Sequence, residues 1–193
     1  GVIVCGATGN QGSFHIDRMN QYARSIGGRG VVAGVTPGKG GQEVHGVPVY
    51  NTILEAAEAQ NATAAVLFVP GSAAGDSVME AADAGLDLVV TITEHIPVHD
   101  VMHAVTYAQM RDFTVIGPNC PGLFSPGEIS MGIMPAHLAT RGPVGVISRS
   151  GTLTYEVVHE LSRAGIGQSS IIGIGGDPVN GTGHPQCRCG LLP

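Results

Sequence analysis

Lysine is nearly absent from this chain. Lys39 is the only one, against eight arginines, and the basic residues form no cluster. With 12% charged residues and a formal net charge of −6, nothing offers a polyanion a landing surface. Nucleic acid and anionic membrane are therefore excluded as main partners. Long apolar runs are missing too. No stretch approaches the roughly 18 to 20 uninterrupted apolar residues of a membrane span, and no basic-then-apolar leader precedes the first strand. The chain reads as soluble. It begins at Gly1 inside strand-like sequence, so the expected start lies upstream and targeting is unreadable. The four cysteines, Cys5, Cys120, Cys187 and Cys189, have no spacing that suggests a disulfide framework, which points to a reducing compartment.

What is present is a globular composition, 43% hydrophobic over 193 residues, enough for one ordinary domain or two small ones. Seven short apolar runs punctuate it: Val2 to Cys5, Val31 to Val35, Ala64 to Val69, Leu88 to Ile92, Val115 to Ile116, Val144 to Ile147 and Ser170 to Ile174. Continuous apolarity over so few residues suits strands buried on both faces, as in parallel sheets. Between them lie helical stripes: Ile16, Met19, Ala23 and Ile26; Ile53, Ala56 and Ala57; Val78, Ala81 and Ala82; Val101, Val105 and Ala108. Asn51, Asp76 and Pro97 are start signals for the last three. Alternation of strand and helix predicts a doubly wound, Rossmann-like α/β fold with right-handed crossovers.

After Gly117 the rhythm changes. Residues 117–143 carry several prolines and no helical stripe, and read as a linker or an irregular hairpin. The expected organisation is a first domain over 1–125, a linker over 126–141, a second unit over 142–181 and a divergent tail over 182–193. With only two strands to its name, the second unit looks cut short.

Two places carry chemistry. In Cys5-Gly6-Ala7-Thr8-Gly9-Asn10-Gln11-Gly12 three glycines stand directly between the first strand and the first helix, where Rossmann-type folds set a phosphate on a helix N-terminus. The spacing G-x-x-G-x-x-G is not the standard dinucleotide fingerprint, and strand-to-helix turns also need glycine for their own sake. Where NAD enzymes place a carboxylate after the second strand, this chain places Lys39 in a glycine-rich loop. A lysine there suits a nucleotide phosphate, either the 2′-phosphate of NADP or the phosphates of coenzyme A, unless it is a solvated turn residue. The second place is Ser148-Arg149-Ser150-Gly151-Thr152. There an apolar strand breaks, and Leu153, Val157, Leu161 and Ala164 recur at helical spacing. A strand feeding a helix start is an anion site.

Six ordered segments, ATGNQGSFH, GGRGVVAGVTPGKGG, TITEHIPVHD, IGPNCPG, VISRSGTLTYE and GIGGDPVNG, resemble the alpha subunit of the succinate–CoA ligases from Gly1 to about Gly181. The resemblance implies a Rossmann-like CoA-binding domain followed by an incomplete flavodoxin-like ligase domain, paired with a beta subunit that grasps ATP or GTP with Mg. It implies reversible formation of succinyl-CoA from succinate through a phosphohistidine, in the cytoplasm or the mitochondrial matrix. By motif, Thr8, Gly9, Asn10, Gln11, Lys39, Ile92, Thr93 and Glu94 contact CoA, with Asn119 and Cys120 near the thioester end. Tyr155 lies at the substrate end, and Ser150, Gly151 and Thr152 face the phosphohistidine.

The family's histidine loop, about a hundred residues further on, has no counterpart here, so this chain alone is expected to be inactive. His95 stands where the family has a small residue, Gly71 to Ala74 differ from the usual apolar loop, and everything after Gly181 departs. Malate or another related acid stays open beside succinate, and ATP beside GTP. A non-catalytic CoA-binding module and an NADP-binding reductase are the alternatives. No metal site is expected: His99 and His103 are four apart with His95 four before, but no third ligand is implied. His184, Cys187 and Cys189 are too few and too crowded for a closed zinc site. Cys120 has no identifiable base to activate it.

Overall fold

The structure is a computed structural model that describes residues 1–183. His184, Cys187, Cys189 and most of the expected tail lie outside these. Seven strands form one sheet: β1 (Val2–Cys5), β2 (Val31–Val35), β3 (Glu43–Val44), β4 (Val47–Tyr50), β5 (Ala64–Leu67), β6 (Leu88–Thr91) and β7 (Thr114–Ile116), in the order β3-β4-β2-β1-β5-β6-β7. All neighbours are parallel except β3, a two-residue strand folded back on β4. The helices are α1 (Asn10–Ile26), α2 (Ile53–Gln60), α3 (Gly71–Asp83), α4 (Val98–Gln109) and α5 (Gly151–Arg163). This is the Rossmann-like parallel architecture expected from the sequence.

The period of two along each strand explains why both faces are apolar. Ile3, Cys5, Ala65, Leu67 and Val89 turn to one side, where they meet Ile53 and Ala56 of α2, Val78 and Ala81 of α3, and Ala104 and Ala108 of α4. Val4 turns to the other side and packs with Ile16 and Met19 of α1. The rest of that second face, Val2, Val66, Val90 and Ile116, is covered by Leu123, Met131 and Ile172 of a second sheet.

Part of the stretch read as a linker or an irregular hairpin is a regular hairpin of that second sheet. Gly122–Ser125 (β8) and Ile129–Gly132 (β9) form an antiparallel hairpin, and β8 pairs with Gln168–Gly173 (β11), which runs parallel to Arg141–Ser148 (β10). The order is β10-β11-β8-β9, four strands rather than two. Strands of four residues bounded by glycine and proline offer no periodic run to detect. The pairing of Ile171 with Phe124 joins residues far apart in the chain. A 3₁₀ turn, Ala136–Leu138, connects β9 to β10.

Two helix starts also differ from expectation. The cap of α2 is Thr52, whose hydroxyl accepts from the Glu55 N–H, while Asn51 Oδ1 instead accepts from the Gly40 N–H. Helix α3 begins after Pro70, and Asp76 lies inside it, because proline is well suited to the edge of a helix. In α5 the helix itself is where the sequence puts it, but its buried face is turned by one residue, about 100°. Thr154 and Val158 are buried whereas Leu153 and Val157 are 63% and 47% exposed. Fully buried Gln168 sets that orientation, its Nε2 donating to the Val158 carbonyl and its Oε1 accepting from the Thr140 N–H. Finally, residues 181–182 lie along the outer edge of β7. Gly181 N–H donates to the Gly117 carbonyl at 2.9 Å and Thr182 N–H to the Val115 carbonyl at 2.7 Å.

Candidate functional site

The turn from β1 into α1 is built by close backbone approach. Gly6 has φ +79°, and the Gly9 N–H donates to its carbonyl at 3.0 Å. A Cβ on Gly12 would collide with that same carbonyl, so the third glycine of the motif is required by packing. Gly9 caps α1 with no side-chain bond, and the first turn has no acidic residue. The N–H groups of that turn, on Asn10, Gln11 and Gly12, are therefore left unclaimed by any side chain of the described residues, at the positive end of the helix dipole.

The loop after β2 is fastened to this turn. Thr8 N–H and Oγ1 both donate to Thr36 Oγ1 at 3.3 Å, and the Thr36 hydroxyl donates to the Val35 carbonyl. Lys39 follows in the same turn, its N–H donating to the Thr36 carbonyl. Its side chain is exposed and has no ion-pair partner among the described residues. Thr36, absent from the sequence-based set, is thus the hinge between Thr8 and Lys39. A lone hydroxyl in a turn carried no signal.

A second group of loops gathers around Asn119, which sits at φ +53° just after the cis Gly117–Pro118 bond. Its N–H donates to the Thr93 carbonyl at 3.0 Å, its carbonyl accepts from the Gly176 N–H, and its Nδ2 donates to Asp177 Oδ1 at 2.8 Å. Thr93 Oγ1 in turn donates to the Val69 carbonyl. Arg149 closes the ring from the other side, with Nε donating to the Gly175 carbonyl and Nη2 to those of Gly176 and Asp177. Thr93, Asn119 and the start of α5 are thereby brought together. Arg149 and Asp177, inside the quoted motifs but not singled out, are the residues that do it. Ile92 is half-buried and Glu94 exposed beside His95.

Cys120 lies under this loop, 5% exposed, its thiol donating to the Thr91 carbonyl at 3.3 Å. Burial pushes its pKa up to about 12, against a smaller lowering by a backbone hydrogen bond at Gly122. A thiol so held is not a nucleophile. At the start of α5, Ser150 Oγ accepts from the Leu153 N–H at 3.3 Å, and the Ser150 carbonyl accepts from Ser148 Oγ and Thr154 Oγ1. That leaves the Gly151 and Thr152 N–H groups outside the cap, in a turn where a Cβ on Gly151 would meet nothing within 4 Å. Tyr155, one turn on, is half-buried, and burial followed by Cys120 raises its phenol pKa. His99 and His103 are exposed on α4, and no group of three possible ligands holds a metal geometry among the described residues.

Comparison with known proteins places this arrangement. Residues 1–95 match the family model of the CoA binding domain. The ADP-forming succinate–CoA ligase alpha subunits of Staphylococcus aureus and Staphylococcus epidermidis are each 54% identical over 181 residues, 94% of this chain and 58% of theirs. The chain therefore spans 58% of the length of these curated relatives. Among solved structures, ATP citrate lyase from Methanothrix soehngenii, in complex with citrate and coenzyme A, superposes with a TM-score of 0.81 at 25% identity over 94% of this chain and 32% of that one. The dinucleotide-forming acetyl-coenzyme A synthetase 1 of Ca. Korarchaeum cryptofilum, at TM-score 0.72 and 23% identity over 91% of this chain and 38% of that one, shares the fold. More than half of its residues are identical to theirs along nearly all its length, so the chain is similar to the succinate–CoA ligase alpha subunits over that length, and its first 95 residues match the CoA binding domain.

Proposed function

We propose that the chain binds coenzyme A across the β1–α1, β2–β3 and β6–α4 loops and serves as the alpha-subunit part of an acid–CoA ligase. The observation that carries this is the fastening of the Lys39 turn to the uncapped start of α1 through Thr8 and Thr36. One cationic side chain and a turn of unclaimed N–H groups are thereby held side by side, as a nucleotide with several phosphates requires. Gly9, Asn10 and Gln11 supply the backbone donors, and Lys39 supplies the charge. Ile92, Thr93 and Glu94 line the path from there towards Asn119 and Cys120.

The acid is succinate or a close relative, activated as an acyl phosphate whose carbonyl the CoA thiol attacks, releasing the phosphoryl group. Ser150, Gly151 and Thr152 receive that group at the start of α5, where N–H donors and the helix dipole offset its charge. Tyr155 borders the acid. ATP or GTP with Mg belongs to a beta subunit, so the work of this chain is positioning and charge stabilisation. Residues 1–125 and 142–181 act as two units joined through 126–141, with the β8–β9 hairpin serving the second sheet.

Calorimetric titration with CoA, dephospho-CoA and NADP tests the reading. CoA should bind tightest, and Lys39→Ala should weaken it by about 1–3 kcal/mol, as for a charge-assisted contact. Preference for NADP, or an unchanged affinity in Lys39→Ala at low salt, overturns it. Turnover on mixing with a beta subunit separates a ligase part from a CoA-binding module.

A further inference from the structure

Away from these loops, a cleft of about 400 Å³ opens between α1 and the segment running from β9 through the 3₁₀ turn. Its walls carry His15, Arg18 and Tyr22 from α1 and His137 from the 3₁₀ turn, and no aspartate or glutamate lines it. In a chain of net charge −6 with nine basic residues, a concave surface bearing one arginine, two histidines and no carboxylate is electrostatically unlike the rest. Gln21 and Ser130 add uncharged polar groups, and much of the remaining lining is apolar, Met19, Ile133 and Met134 among it.

The His15 ring is fixed rather than mobile. It stacks on Phe68 with centroids 5.1 Å apart at 6° and meets Phe14 edge-on at 5.0 Å. Arg18 lies 5.2 Å from the Phe14 ring centroid. No hydrogen bond engages either side chain among the described residues, so both keep donors to offer. The Tyr22 hydroxyl is already used, accepting from the Gly127 N–H at 2.6 Å. Burial, and then Arg18, lower the pKa of His15 from its ordinary 6.5, the cost of a cationic corner with no counter-ion. An arriving anion would relieve that cost.

We propose that this cleft binds a small organic anion, its carboxylate or phosphate head held by Arg18, His15 and His137 and its apolar body against Met19, Ile133 and Met134. Its volume lies in the ordinary range for small-molecule sites, roughly 300–1,000 Å³. The inference does not rest on the coenzyme A reading.

The test is an NMR titration of the histidine ring protons of the full chain with benzoate, phenyl phosphate and inorganic phosphate. His15 and His137 should shift saturably with benzoate or phenyl phosphate while exposed His99, His103 and His159 do not. The preferred probe identifies the head group, and inorganic phosphate should bind more weakly than phenyl phosphate. Arg18→Ala and His137→Ala, both at exposed positions, should each weaken binding by about tenfold, as for loss of a charge-assisted contact. Affinity should fall as the pH rises through the range in which His15 loses its proton, which lies below its ordinary 6.5. Absence of saturable shifts, or equal binding of inorganic phosphate, overturns the proposal. So does displacement of the probe by CoA, whose own binding is read separately by calorimetry, because the cleft would then belong to the CoA site.

Discussion

Cys120 shows how a residue's chemistry is decided by its surroundings rather than its motif. Sequence alone gives a cysteine between asparagine and proline with no identifiable base to activate it. The fold tucks it beneath Asn119 and points its thiol at the Thr91 carbonyl. Burial, assisted by Glu80, raises the pKa of Cys5 likewise. In a Cys187→Ser/Cys189→Ser variant, no thiol should react with an aromatic disulfide reagent within minutes at pH 8, and two should react in urea, since the thiolate is the reactive form. One fast thiol in the folded protein would mean that the 117–120 loop opens. The glycine motif is the opposite case. Gly6, Gly9 and Gly12 were legible because their roles are local. Thr36 was not, because its importance comes from Thr8, twenty-eight residues away.

At the scale of elements, strands buried on both faces were readable as continuous apolar runs, and β1, β2, β5, β6 and β7 lie within or close to them. What escaped was short or non-local: the β3–β4 turn-back, the β8–β9 hairpin, and which face of α5 is buried. The α5 case turns on one polar residue. Leu153 and Val157 make the more apolar stripe, yet Gln168 reaches from β11 to the Val158 carbonyl and draws the adjacent face inward. Replacing it by leucine should cost about 1–3 kcal/mol for each buried group left without a partner. Urea unfolding measures this. A neutral result would mean that apolar packing alone seats the helix.

For the whole molecule, the second sheet is not an appendage. Leu123, Met131 and Ile172 seal the face of the parallel sheet that α1 leaves uncovered, so that face of the parallel sheet would meet water without the second sheet. Urea unfolding should therefore be a single transition by far-UV and near-UV circular dichroism alike. Two separated transitions would show that residues 1–125 hold together unaided. The bonds from Gly181 and Thr182 to β7 have a further consequence. Strand β7 ends the sheet, and an uncovered edge of main-chain donors and acceptors is a template for another chain. Those two residues act as a selvedge that keeps the sheet from fraying into intermolecular pairing. Removing the chain from Gly181 onward should leave CoA affinity intact yet raise light scattering at high protein concentration, with the rise suppressed by lysine substitution at Thr114 on the bared edge.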